Sequence, residues 1–124
     1  LDELMERSDV VSLHLSLTDE TAGMIDARRI GLMRPSALLI NTARGGVIDE
    51  PALIAALKEN KIAHAGLDVF AEEPLPPDHP LLTMGNVTLT AHAGFMTREA
   101  SARLLQMALE IMREELAAMD GAPA

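Results

Sequence analysis

Cysteine, tryptophan and tyrosine are missing from this 124-residue chain, and phenylalanine occurs only twice. Without a thiol there is no disulfide, no thiolate metal site and no cysteine nucleophile, a composition at ease in a reducing cytosol, so a cytoplasmic location is the expectation. With so few aromatic rings there is no platform on which nucleic-acid bases stack. Cationic side chains are scarce too: ten Lys and Arg stand against nineteen Asp and Glu, for a formal charge of -9. Binding to nucleic acid or anionic lipid by counterion release needs clustered cations, and the only close basic neighbours are Arg28 and Arg29, so neither is an expected partner. No apolar run approaches the ~18 residues of a membrane span, and no stretch reads as a signal peptide.

What is present is a chain with 48% hydrophobic residues, long enough for one globular domain burying roughly two-thirds of its unfolded surface. Its eight Met are expected to fill core gaps left by the missing aromatics. Four short runs rich in Val, Ile and Leu, at 10–15, 37–41, 64–70 and 86–90, read as strands buried on both faces. Between them, Asp26 suits the N-cap of a helix over 27–33. Asp49 suits that of a helix over 50–59, with Pro51 in its first turn and Asn60 at its exit. Apolar residues at Leu104, Leu105, Ala108, Ile111, Met112, Leu116 and Met119 predict a long amphipathic helix from Thr97 to about Met119. Residues 121–124, GAPA, read as a frayed or cut end, and residues 1–7 read as the end of a helix that begins earlier. Strands alternating with helices give an α/β fold: a partial Rossmann-type parallel sheet of about four strands, flanking helices and a long C-terminal helix.

In such a sheet, ligands collect beyond the carboxyl ends of the strands. Arg44 in NTARGG, Glu73 in LDVFAEEP and His92 in LTAHAG each stand just past a strand, and Asp68 lies within the third near the same edge. Gly45 and Gly46 suit close approach of backbone to a ligand, and the planar guanidinium of Arg44 suits a carboxylate with a neighbouring carbonyl oxygen. A carboxylate bonded to the His92 imidazole would fix its tautomer and make the two one acid-base unit. His14, in a buried-strand pattern, His64 at a strand start and His79 in the proline-marked loop 74–80 take structural readings. The irregular spacing of Asp68, Glu73 and His92 does not favour a metal centre, and none is expected. Ser36 and Ser101 lack the glycine context of a nucleophile elbow.

Four stretches in this order, SDVVSLHLSLTDETAGMID (8–26), INTARGGVIDEPALIAAL (40–57), AGLDVFAEEPLP (65–76) and TAHAG (90–94), closely resemble the C-terminal half of the nucleotide-binding domain of D-isomer-specific 2-hydroxyacid dehydrogenases. The resemblance implies an oxidoreductase that transfers a hydride between NAD or NADP and a small 2-hydroxy or 2-keto acid. It implies that Arg44 binds the substrate carboxylate and polarises its carbonyl, that His92 is the proton donor, and that Glu73 is its dyad partner. It also implies that Leu15, Ser16, Thr42, Ala43, Arg44, Asp68, His92, Ala93, Gly94 and Phe95 contact the cofactor. Formate dehydrogenases, close relatives, typically place Gln where Glu73 stands. A non-enzymatic NAD-responsive corepressor-like module of the same family is the alternative.

Two positions depart from the family pattern: Ala91 and Ser16 stand where Pro is usual or common, and Ala91 frees a backbone dihedral before His92. Phe95 is bulkier than the small residues common at its position. No G-x-G-x-x-G follows any strand. The chain thus reads as the C-terminal part of a dinucleotide-binding domain over 1–124, without the phosphate loop or substrate domain, and with little NAD affinity or turnover by itself. A bared edge on the first strand favours pairing, and a homodimer is expected.

Overall fold

The computed structural model describes residues 1–120, with no side-chain description for 119 and 120, so GAPA lies outside the described residues. Two compact units are present, Leu1–His92 and Ala93–Ala124. The first runs α1 (Asp2–Arg7), β1 (Val10–Leu13), α2 (Ala27–Ile30), β2 (Leu38–Asn41), α3 (Glu50–Lys58), β3 (His64–Leu67) and β4 (Val87–Leu89), with 3-10 turns at Gly45–Val47 and Pro80–Thr83. The second carries α4 (Arg98–Asp120). The four strands form one parallel sheet in the order β1-β2-β3-β4, the α/β architecture expected.

Local chemistry explains the helix limits. Asp26 accepts the Arg29 N–H at 2.8 Å and Asp49 the Ala52 N–H at 3.1 Å, so both aspartates satisfy donors that a helix start leaves orphaned. At the exit of α3, Asn60 takes a left-handed φ of 53°, and the N–H groups of Asn60 and Lys61 return to the carbonyls of Leu57 and Ala56. That is a Schellman closure, with Asn standing in for the usual Gly. α2 stops at Ile30 rather than 33, where Gly31 and a following turn intervene. Every strand is shorter than the apolar run that contains it. In the second unit, Thr97 caps α4 by accepting the Ala100 N–H at 3.0 Å.

Among the described residues of the first unit, the strands are buried on one face and exposed or half-buried on the other, which corrects the expectation of strands buried on both. Val11, Leu13, Leu39, Ala65 and Leu67 share one buried core with Met5 of α1, Ile30 of α2 and Leu53 and Leu57 of α3, and Asn41 is buried on the same strand face. Alternate residues Val10, Ser12 and Leu38 are exposed, because the pleat points successive side chains to opposite faces. Full burial of each large core side chain contributes about 1.5–3 kcal/mol against exposure. Methionine fills the core only in part: Met5 and Met33 are buried and Met24 and Met84 pack against the core, whereas Met96, Met107 and Met112 are exposed. His14 lies just beyond β1 and is exposed, with its Nε2 2.9 Å from Ser12 Oγ, contrary to the buried reading. Among the described residues, no helix is long and apolar enough to cross a membrane.

Candidate active site

Strand register builds the site. Leu13, Asn41, Leu67 and Leu89 align across the sheet, so the next residues, His14, Thr42, Asp68 and Thr90, form its carboxyl rim. Backbone bonds extend the order past the strands: Asp68 N–H donates to Asn41 O, Thr90 N–H to Leu67 O, and His92 N–H to Asp68 O at 2.8 Å. The Thr90 hydroxyl donates to the buried Asp68 carboxylate, an ordering contact that sequence reading missed.

His92 has a φ of 51°, in the left-handed region where a non-glycine residue costs roughly 1–2 kcal/mol. That conformation turns the chain off the end of β4 and brings the imidazole to Glu73. His92 Nδ1 lies 2.7 Å from Glu73 Oε2, and because an ionised carboxylate only accepts, Nδ1 carries the proton. The other carboxylate oxygen, Oε1, accepts the Phe70 N–H at 2.9 Å. The hydrogen bond from His92 is the main cause holding the Glu73 carboxyl below the usual carboxylate range, and the Phe70 N–H, the His92 charge and Arg44 act in the same direction. Ala91 therefore does not leave His92 loose: its backbone N–H and its ring are both fixed.

Arg44 is exposed, and its Nη1 donates to Ala43 O at 2.6 Å. The loop that carries it is clamped from below by Asn41, which is buried at the end of β2. Its Nδ2 donates to Arg44 O at 3.0 Å and its Oδ1 accepts the Ala43 N–H at 3.0 Å. A polar residue closing an apolar run was the available signal for this role. Gly45 packs against protein rather than being reserved for a ligand: a Cβ there would lie 2.0 Å from the carbonyl carbon and oxygen of Phe70 and 2.6 Å from Ala71 N. The loop after β2 and the loop after β3 thus touch backbone to backbone, which places Arg44 where its charge acts on Glu73. Gly46, similarly, abuts Leu17.

Two clefts open on this rim. One, of about 530 Å³, is lined by Phe70, Glu73, Leu75, Leu82, Ala91 and His92 among others. The second, of about 470 Å³, is lined by His14, Leu15, Ser16, Leu17, Thr42, Ala43 and Arg44, and so gathers five of the residues expected at the cofactor. Thr21 Oγ1 donates to Ser16 O at 2.7 Å and accepts the Thr18 N–H at 2.8 Å, which fixes the loop forming one wall. Residues 93–95 open the second unit; there Ala93 O accepts the Met96 N–H at 2.9 Å and Phe95 is exposed. The described residues hold no cluster of three metal-ligating side chains.

The family model of the D-isomer specific 2-hydroxyacid dehydrogenase, NAD binding domain, matches residues 1–94. A glyoxylate reductase from Korarchaeum cryptofilum is 50% identical over 110 residues, which are 89% of this chain and 33% of that protein. A D-3-phosphoglycerate dehydrogenase from Methanocaldococcus jannaschii is 46% identical over 121 residues, 94% of this chain and 23% of that one. Among solved structures, the D-isomer specific 2-hydroxyacid dehydrogenase from Xanthobacter autotrophicus Py2, in complex with NADPH and MES, superposes with a TM-score of 0.72. It is 48% identical and covers 74% of this chain and 30% of that one. The chain spans about a third or less of the length of the curated relatives it matches.

Proposed function

The chain belongs to the D-isomer specific 2-hydroxyacid dehydrogenase family, and on that premise we propose that its strand rim is the chemical half of an NAD(P)-dependent oxidoreductase acting on a 2-keto acid and the corresponding D-2-hydroxy acid. The observation that carries the reading is the 2.7 Å bond between His92 Nδ1 and Glu73 Oε2, with Arg44 acting on the same carboxylate. Bonding to Glu73 fixes the imidazole by its Nδ1, so Nε2 is the nitrogen that exchanges a proton with a substrate oxygen. In reduction, His92 gives its proton to the carbonyl oxygen, which becomes the hydroxyl. In oxidation, it takes that proton back. Glu73 stabilises the charged ring and holds its tautomer. Arg44 offers a planar fork for the substrate carboxylate.

Leu15, Ser16, Thr42, Ala43 and Arg44 line a concave cleft at the carboxyl ends of β1 and β2, a fit for the reactive end of a dinucleotide. When bound there, the nicotinamide supplies or accepts the hydride. Asp68, His92, Ala93, Gly94 and Phe95 complete the proposed cofactor set. Residues 1–124 serve, in this reading, as the C-terminal part of a dinucleotide-binding domain. The reductase and dehydrogenase names of the relatives favour the enzyme over the corepressor-like alternative. The absence of cysteine supports a cytoplasmic setting, and the exposed Val10 on the outermost strand supports a homodimer.

The test is NAD(P)H consumption against a panel of small 2-keto acids by the protein that carries this chain. His92→Asn is expected to lower kcat by roughly 10²–10⁴-fold, the usual worth of a general acid, and Arg44→Gln to raise KM as well. Undiminished turnover in His92→Asn refutes the assignment.

A further inference from the structure

Glu50 is a carboxylate in the first turn of α3, a place where an acid normally faces water and interacts weakly with the helix dipole. Here its side chain is 15% exposed and joins three segments distant in sequence. Oε2 accepts the N–H of Ala71, in the loop after β3, at 3.3 Å. Oε1 pairs with His79 Nε2, in the proline-marked loop, at 3.2 Å; His79 is equally buried, and its Nδ1 accepts the Leu81 N–H at 3.4 Å. The ring thus presents an acceptor at Nδ1 and a donor at Nε2, and with the donor held by Glu50 its orientation is set. Withdrawing a carboxylate from water is costly unless it is hydrogen-bonded, and both oxygens are.

What the carboxylate grips explains the arrangement. Ala71 and Phe70 are consecutive: the Phe70 N–H goes to Glu73 and the Ala71 N–H to Glu50. The same two residues press against Gly45 in the Arg44 loop. We propose that Glu50 is a positioning residue for the acid-base pair, holding the loop that aims Glu73 at His92, and that His79 fixes Glu50 for this task. Glu50 touches neither His92 nor a substrate, so its effect runs through the backbone of Ala71 and Phe70. The assignment rests on the reading of Glu73 and His92 as the acid-base pair, but its test reads the hydrogen-bonded carboxylate directly and needs no turnover.

The experiment is carbon-detected NMR titration of the Glu73 carboxyl in the full 124-residue chain and in Glu50→Ala, Glu50→Gln and Glu50→Asp. Glu73 is held low by His92 and by the Phe70 N–H, with Arg44 adding to it, so loosening the loop moves its midpoint upward, by about half a pH unit or more, towards the ordinary carboxylate value. Glu50→Ala shows this rise. Glu50→Gln, which keeps a carbonyl oxygen for Ala71, restores most of the wild-type midpoint. Glu50→Asp keeps the charge at the helix start but is one methylene too short to reach Ala71, so it shows the rise even if the alanine variant does not fold. A wild-type midpoint in folded Glu50→Asp or Glu50→Ala overturns the proposal, as does a Gln variant no better than Ala.

Discussion

Replacing Gly45 by Ala is the sharpest perturbation the structure offers, because one methyl group would have to occupy the space of another loop's main chain. The added carbon would stand 2.0 Å from Phe70 C and O and 2.6 Å from Ala71 N, where ordinary contact begins near 3.4 Å. Backbone cannot rotate out of the way as a side-chain tip can, so the two loops must part by more than an ångström. Overpacking of this kind costs typically about 1–3 kcal/mol, and the backbone target puts Gly45→Ala at or above the top of that range. For a unit of this size, ~3 kcal/mol corresponds to a melting point lower by roughly 12 °C or more. Urea denaturation and a thermal melt measure the loss; the Glu73 carboxyl titration, on the same sample, measures the loosened loop. Gly85→Ala is the control, since a Cβ there meets nothing within 4 Å and its φ lies outside the left-handed range. It is expected to be neutral or to stabilise by about 0.4–1 kcal/mol through the unfolded state. Equal stabilities for the two variants would refute the backbone-contact account of Gly45.

Asn41→Ala removes both clamps on the Arg44 loop and leaves the Ala43 N–H and Arg44 C=O without this partner. A loss of about 1–3 kcal/mol is expected, with faster hydrogen exchange at the Ala43 amide; wild-type exchange there would count against the clamp. The Glu73 carboxyl is lowered in the folded state, so its contribution to stability is present above its unfolded value near ~4.3 and is lost as pH falls through the lowered folded value. Glu73→Gln is accordingly less stable than wild type at pH 7, and the difference shrinks on acidification below pH ~4; a pH-independent difference in paired urea titrations contradicts the sign.

The alternation of strands and helices was legible because it is local: β-branched and leucine-rich runs, Asp caps and an Asn exit each act over a few residues. The placement of Arg44, Glu73 and His92 past the strand ends was legible for a similar reason, since each stands beside turn residues, and the pairing of Glu73 with His92 followed from that placement. One-sided burial was not, since the exposed Val10 and Leu38 are as apolar as the buried Val11 and Leu39. Nor was the use of Gly45, which depends on Phe70, 25 positions on. His79 read as a structural loop histidine and Glu50 carried no signal of its own; only folding brings residues 29 apart in sequence into contact. Contacts between segments distant in sequence carry no local signal, which is why these two features were not legible.

The left-handed backbone of His92 bears on how its proposed proton transfer should be probed. Alanine, the customary replacement, removes the imidazole but is itself poorly suited to a positive φ, so a deficit in His92→Ala would mix lost proton transfer with a relaxed chain turn. Asparagine adopts that region far more readily. At this position, then, Asn is the cleaner deletion of function, and the difference between the Asn and Ala variants is a direct readout of how much the turn itself contributes to holding the rim together.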